Sequence, residues 1–97
     1  MDHDEWRPRV LAMLPYTFAF AERLRAAGRV DVFKGETLDD AMAKTFAHDG
    51  IEGEERERII RETRRLIAVP LAELKTEYAK LLKETDEDAA RTQAAYR

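Results

Sequence analysis

The sequence contains no cysteine, no serine and no asparagine, and its only glutamine is Gln93. Without cysteine there are no disulfides and no thiolate chemistry. With serine also missing, nucleophilic catalysis would need a threonine paired with a histidine base. Thr37, Thr63 and Thr85 are better explained as helix caps or helix-surface residues. We therefore predict that the chain is not an enzyme and has no catalytic residues.

The sequence also has few groups that bind metals or cofactors. Its two histidines, His3 and His48, do not share a helical spacing, and no paired-histidine or paired-cysteine motif exists. A metal site in a protein needs three or four such ligands held together. The glycine pair Gly50 and Gly53 encloses a loop too short and too acidic to cradle a phosphate. We predict no metal and no cofactor.

No long apolar run is present. The longest one, residues 10–21, is interrupted by Pro15 and Thr17. It is shorter than the roughly 20 residues needed to cross a bilayer. The first five residues are acidic, where a secretory signal carries basic residues. We expect a cytoplasmic chain that does not enter a membrane.

The composition fits one folded helical domain over residues 1–97. The chain is 38% charged and 44% hydrophobic, with 17 basic and 20 acidic residues and a formal net charge of −3. This is too apolar for a disordered chain. The two signs of charge are interspersed along the sequence, so the chain as a whole lacks the basic excess of a nucleic-acid-binding domain.

The first helix is predicted over residues 4–27. Apolar residues recur there at steps of three and four, which is typical of one helical face. They are Trp6, Val10, Leu14, Phe18, Ala21 and Leu24. Further apolar positions beside this stripe predict burial on more than one side. Pro15 predicts a kink, and residues 29–33 are expected to form an extended connector.

The second helix, residues 37–48, has the clearest ends. Thr37 is a predicted N-cap, followed by Asp40 in an arrangement similar to a capping box. Gly50 is expected to take the left-handed conformation that ends a helix, and Ile51 to fold back onto it.

The third region, residues 54–84, is predicted as a helix kinked at Pro70, with two separate helices as the alternative. Its apolar residues at intervals of seven keep their phase across the proline, which favours the kinked helix. They are Ile60, Ile67, Leu74 and Leu81. Residues 85–97 are expected to form a short C-terminal helix or a frayed tail. The expected fold is all-α, a small bundle of three to five helices with Pro-kinked first and third helices.

Arginines are concentrated in the first half of the third region. The cluster comprises Arg56, Arg58, Arg61, Arg64 and Arg65. One interpretation is a helix-turn-helix-like DNA-binding regulator that uses Arg56, Arg58, Arg61 and Arg65. The competing interpretation is a solvated face. Glutamates on the same helix would repel phosphate, and the serine and asparagine side chains that read bases are missing. The second interpretation is favoured.

The apolar stripes exceed what the short helices can cover in a monomer of this size. This predicts a protein–protein interaction module, a small accessory, adaptor or inhibitor subunit, which binds another protein, itself, or both. Arg64 would set specificity as a polar group on the apolar seam. The residues predicted to make the contact are Trp6, Tyr16, Phe20, Arg64, Leu71, Leu74 and Tyr78.

Overall fold

The computed structural model describes the backbone of residues 3–95 and the side chains of residues 7–84, 86 and 87. Four α-helices follow one another along the chain: α1 (His3–Ala26), α2 (Leu38–Asp49), α3 (Gly53–Ala68) and α4 (Leu71–Ala95). Residues 3–95 contain no strand. The predicted all-α bundle of three to five helices is confirmed.

Helix α1 is the centre of the bundle, and it continues through Pro15 without a break. It contributes to two core clusters. One of them joins α1 to α2 and α3 and contains Leu11, Phe18, Met42, Phe46, Ile51 and Ile59. The other joins α1 to α3 and α4 and contains Ala19, Leu66 and Leu74. The predicted burial of α1 on more than one side is confirmed, because Phe18 and Ala19 point about 100° apart on the helix.

Helix α2 begins and ends where its capping residues predict. The Oγ1 atom of Thr37 accepts a hydrogen bond from the Asp40 N–H at 3.1 Å. At the other end Gly50 has φ 67°, and the buried Ile51 donates its N–H to the Phe46 carbonyl at 2.9 Å. Residues 27–37, between α1 and α2, contain no strand. The extended connector expected over residues 29–33 is only partly present, because the N–H groups of Lys34 and Glu36 donate to the carbonyls of Asp31 and Phe33 and form turns.

The predicted kinked helix across Pro70 is wrong, and the two-helix alternative is correct. Helix α3 ends at Ala68, and α4 begins at Leu71. Proline has no N–H for the helical ladder and disfavours helical backbone at the preceding residue. Val69 accordingly has the extended angles φ −72° and ψ 138°. Residues 85–95, expected to be a short final helix or a frayed end, are helical and continue α4 without a break; residues 96 and 97 lie outside the described residues.

The buried face of α3 is shifted by one residue from the predicted seam, which contained Ile60 and Ile67. It contains Ile59, Thr63 and Leu66, all fully buried. Thr63 occupies the place between the two apolar residues because its hydroxyl donates to the Ile59 carbonyl at 2.7 Å. A threonine satisfied in this way by its own helix packs in a core much as valine does. Arg64, predicted to lie on the seam, instead points to solvent.

Candidate functional site

Three of the predicted contact residues meet in an aromatic cluster between α1 and α4. The ring of Tyr78 lies 5.7 Å from the ring of Tyr16 and 5.4 Å from the ring of Phe20. All three side chains are half-buried. Burial raises the pKa of the Tyr16 phenol, and the carboxylates of Glu77 and Glu62 raise it further. Much of this aromatic surface therefore holds the two helices together.

Leu74 is not available to a partner, which corrects its assignment as a contact residue. Its side chain is 0% exposed and packs with Ala19 and Leu66 in the core. The helical spacing that brings Leu74 onto the seam also turns it toward α1 and α3. The predicted contact residue Trp6 lies in α1, and its side chain is outside the described part of the chain.

Arg64 does not share a surface with the aromatic cluster. Its side chain is 68% exposed, and its guanidinium lies 3.9 Å from the carboxylate of Asp39 at the start of α2. An exposed pair at this distance contributes little to stability. The structure thus separates Arg64 from Phe20 and Leu71, and its predicted role on an apolar seam is corrected.

The arginine cluster of α3 divides into paired and unpaired side chains. Arg65 bonds to Glu62 and lies 3.5 Å from Glu77 of α4. The hydrogen bond from Arg65 lowers the pKa of Glu62, and the same bond raises the pKa of Arg65. Arg65 therefore links α3 to α4.

The remaining arginines of the cluster lie among glutamates. The guanidinium of Arg56 lies 5.7 Å from the centre of the Phe46 ring. Arg58 and Arg61 make no salt bridge with any described residue, but Glu54 and Glu57 line the same surface depression. Carboxylates beside the two free arginines weaken the attraction of this face for phosphate.

A groove at one end of the bundle combines exposed apolar surface with positive charge. We call it the end groove. It encloses about 440 Å³ between the last turns of α1, the residues that follow them, and the first turn of α4. Its apolar lining consists of Phe20, Leu24, Ala27 and Leu71. Leu24 is 38% exposed and Leu71 49%, so both walls of the groove present apolar surface to solvent.

The polar lining of the end groove is entirely basic. It consists of Arg23, Arg29 and Lys75, and no carboxylate lines the groove among the described residues. Arg23 is structural, because its guanidinium donates to the carbonyl oxygens of Ile67 at 2.8 Å and of Val69. These bonds satisfy carbonyls at the end of α3. Arg29 and Lys75 make no salt bridge within the described part of the chain.

Two of the residues that line the end groove, Phe20 and Leu71, were predicted from the sequence as contact residues. Leu24, Arg29 and Lys75 were not. Leu24 continues the apolar stripe of α1, yet it lies beyond the part of the helix that α3 covers. The two cations carry no sequence motif. They come together only because the chain breaks before Leu71 and α4 folds back beside α1.

The part of the chain that the structure describes contains no cluster of three or more His, Asp or Glu side chains suited to a metal ion. None of its described helices is both long and apolar enough to span a bilayer. No protein-family model, no curated protein and no solved structure matches the sequence.

Proposed function

We propose that the chain is a protein-interaction module, a small accessory, adaptor or inhibitor subunit whose contact surface is the end groove. The observation that carries this proposal is the exposure of Leu24 and Leu71 on the two walls of one concave surface. Single exposed leucines are common on proteins, but apolar side chains gathered in a groove with a polar rim are typical of contact sites.

The aromatic cluster of Tyr16, Phe20 and Tyr78 holds one wall of the end groove in place. Phe20 belongs both to the cluster and to the groove, so its ring forms part of the contact surface while Tyr78 fixes its position. A contact residue held by packing loses little side-chain entropy when it binds. This gives Tyr16 and Tyr78 a positioning role behind the groove rather than a direct contact with the partner.

The DNA-binding alternative has weaker support. Arg65 is paired with Glu62 and Glu77. Arg56, Arg58 and Arg61 make no salt bridge with a described residue, but glutamates line the same surface depression. So few cations, set among carboxylates, release few counterions and give a shallow dependence of affinity on salt. We favour a protein partner for this reason.

Site-specific photo-crosslinking in extract of the source cell tests the proposal. A photoreactive amino acid replaces Leu71 in one variant and Val10 in another, since Val10 is equally exposed at 51% but lies outside the groove. We expect a discrete protein adduct from position 71 alone. A Leu24→Glu substitution in the same chain should abolish it.

Two results would count against the groove as the contact surface. One is equal labelling from positions 71 and 10, and the other is an adduct that survives Leu24→Glu. The mass of the adduct also separates a foreign partner from a second copy of the chain.

A further inference from the structure

We infer that the end groove binds an acidic amphipathic helix of another protein. This inference rests on the proposed function and adds the chemistry of the partner. The groove offers Leu24, Leu71 and the ring of Phe20 to apolar side chains, with Arg29 and Lys75 beside them. A partner helix would present two apolar side chains one turn apart, flanked by Asp or Glu.

The positive charge of the end groove is not neutralised by carboxylates in its described lining. Several basic side chains elsewhere on the surface are paired with carboxylates: Arg7 with Glu55, Arg25 with Glu22, Lys44 with Glu36, and Arg65 with Glu62. Arg58 and Arg61 make no described salt bridge, but glutamates line the surface depression in which they lie. The described lining of the end groove, by contrast, contains no carboxylate. Arg29 and Lys75 are left without a described salt bridge, although the chain holds more acidic than basic residues, 20 against 17.

The local backbone adds to the positive potential. Leu71 is the first residue of α4, so the positive end of the α4 dipole lies at the edge of the groove. The carbonyls at the end of α3, which would oppose it, are covered by the guanidinium of Arg23. Carboxylates on a bound helix would therefore meet two exposed cations and a helix N-terminus together.

The same charges argue against a symmetric dimer built on this groove. In a two-fold contact the surface of one copy faces the same surface of the other. Arg29 and Lys75 would then lie close to their own counterparts, and like charges across an interface are unfavourable. A second copy could still dock through its acidic helix α4, where Asp86 and Glu87 are exposed. The experiment includes a probe for that case.

The first step of the test is a selection from displayed helical peptides of about 16 residues, the length of a helix that spans such a groove. Binding is selected on the full chain, and peptides that also bind Leu71→Glu are removed. Val10→Glu serves as the matched control and should retain the selected peptides. We expect enriched sequences with a net negative charge and two apolar residues three or four positions apart.

The second step is a charge exchange with the tightest selected peptide. Arg29→Glu with Lys75→Glu should weaken binding about tenfold or more, as expected for reversal of charges at an interface rim. A peptide whose acidic residues are replaced by lysine should recover binding to this variant. The control is Lys80→Glu with Lys83→Glu, two exposed lysines on the same helix that should leave binding nearly unchanged.

The outcomes distinguish the inference from the proposed function. Neutral or basic peptides that depend on Leu71 would overturn the acidic partner and leave the interaction module standing. If no selected peptide depends on Leu71, both proposals fail. A synthetic peptide of residues 79–95 is the final probe, and tight binding of this peptide in the groove would identify a second copy as the occupant and overturn the inference.

Discussion

Leu71 and Leu74 are three positions apart on α4 and have opposite environments. Leu74 is fully buried against α1 and α3, while about half of the Leu71 side chain is exposed in the end groove. The sequence pattern predicts that both lie on one apolar seam and contact a partner. Burial is decided by which neighbouring helix covers each position, and that is a property of the fold rather than of the spacing.

Alanine substitution at these two positions separates core from contact surface. Leu74→Ala should lower the free energy of unfolding by about 2–5 kcal/mol, because it leaves a cavity in the core. Leu71→Ala should change it by no more than about 0.5 kcal/mol. Chemical denaturation followed by circular dichroism measures both values. Similar losses for the two variants would mean that Leu71 is a core residue.

Tyr16 gives the fold a dependence on high pH. Its pKa is raised above the ordinary value of 10.0, first by burial and then by Glu77 and Glu62. The unfolded chain therefore loses this proton more readily than the folded chain, and stability falls as the pH rises above 10.0 and through the raised pKa. Denaturation between pH 8 and pH 11 should show a steeper loss for the natural chain than for Tyr16→Phe. Parallel curves would contradict this.

At the scale of the helices, local signals predict ends well when the capping groups are close in sequence. Thr37 with Asp40 and Gly50 with Ile51 determine the bounds of α2 through hydrogen bonds that span no more than five residues. The break at Pro70 differs, because Arg23, a side chain of α1, completes the end of α3. A contact so distant in sequence is not visible in the local pattern, and the phase of the apolar residues alone favoured one kinked helix.

The role of Arg23 predicts a difference between two arginines of the same helix. Arg23→Met should cost about 1–3 kcal/mol of unfolding free energy, since carbonyls of Ile67 and Val69 lose their donor. Arg25→Met removes only a surface pair with Glu22 and should cost clearly less than Arg23→Met. Thermal or chemical denaturation of both variants provides the comparison. An equal cost would show that Arg23 does not hold the end of α3.

For the whole molecule, the sequence predicted the class of fold and part of the candidate site. The helical class follows from apolar spacing and caps, and Phe20 and Leu71 were found because large apolar residues stand out. The prediction that Arg64 lies on the apolar seam was wrong, because Thr63 is the polar residue of α3 that packs in the core. The end groove required the folded arrangement. Its walls come from α1 and α4, and its cations are distinguished by a described lining that contains no carboxylate.

We expect the end groove to bind a different protein and to remain open in the isolated chain. The solution mass of the purified chain, measured by light scattering over a wide range of concentration, tests it most directly. We predict a mass of 11.2 kDa, that of one chain, at every concentration for the natural sequence and for Leu71→Glu. A dimer of the natural chain that Leu71→Glu dissociates would contradict the claim, because it would make a second copy the occupant of the groove.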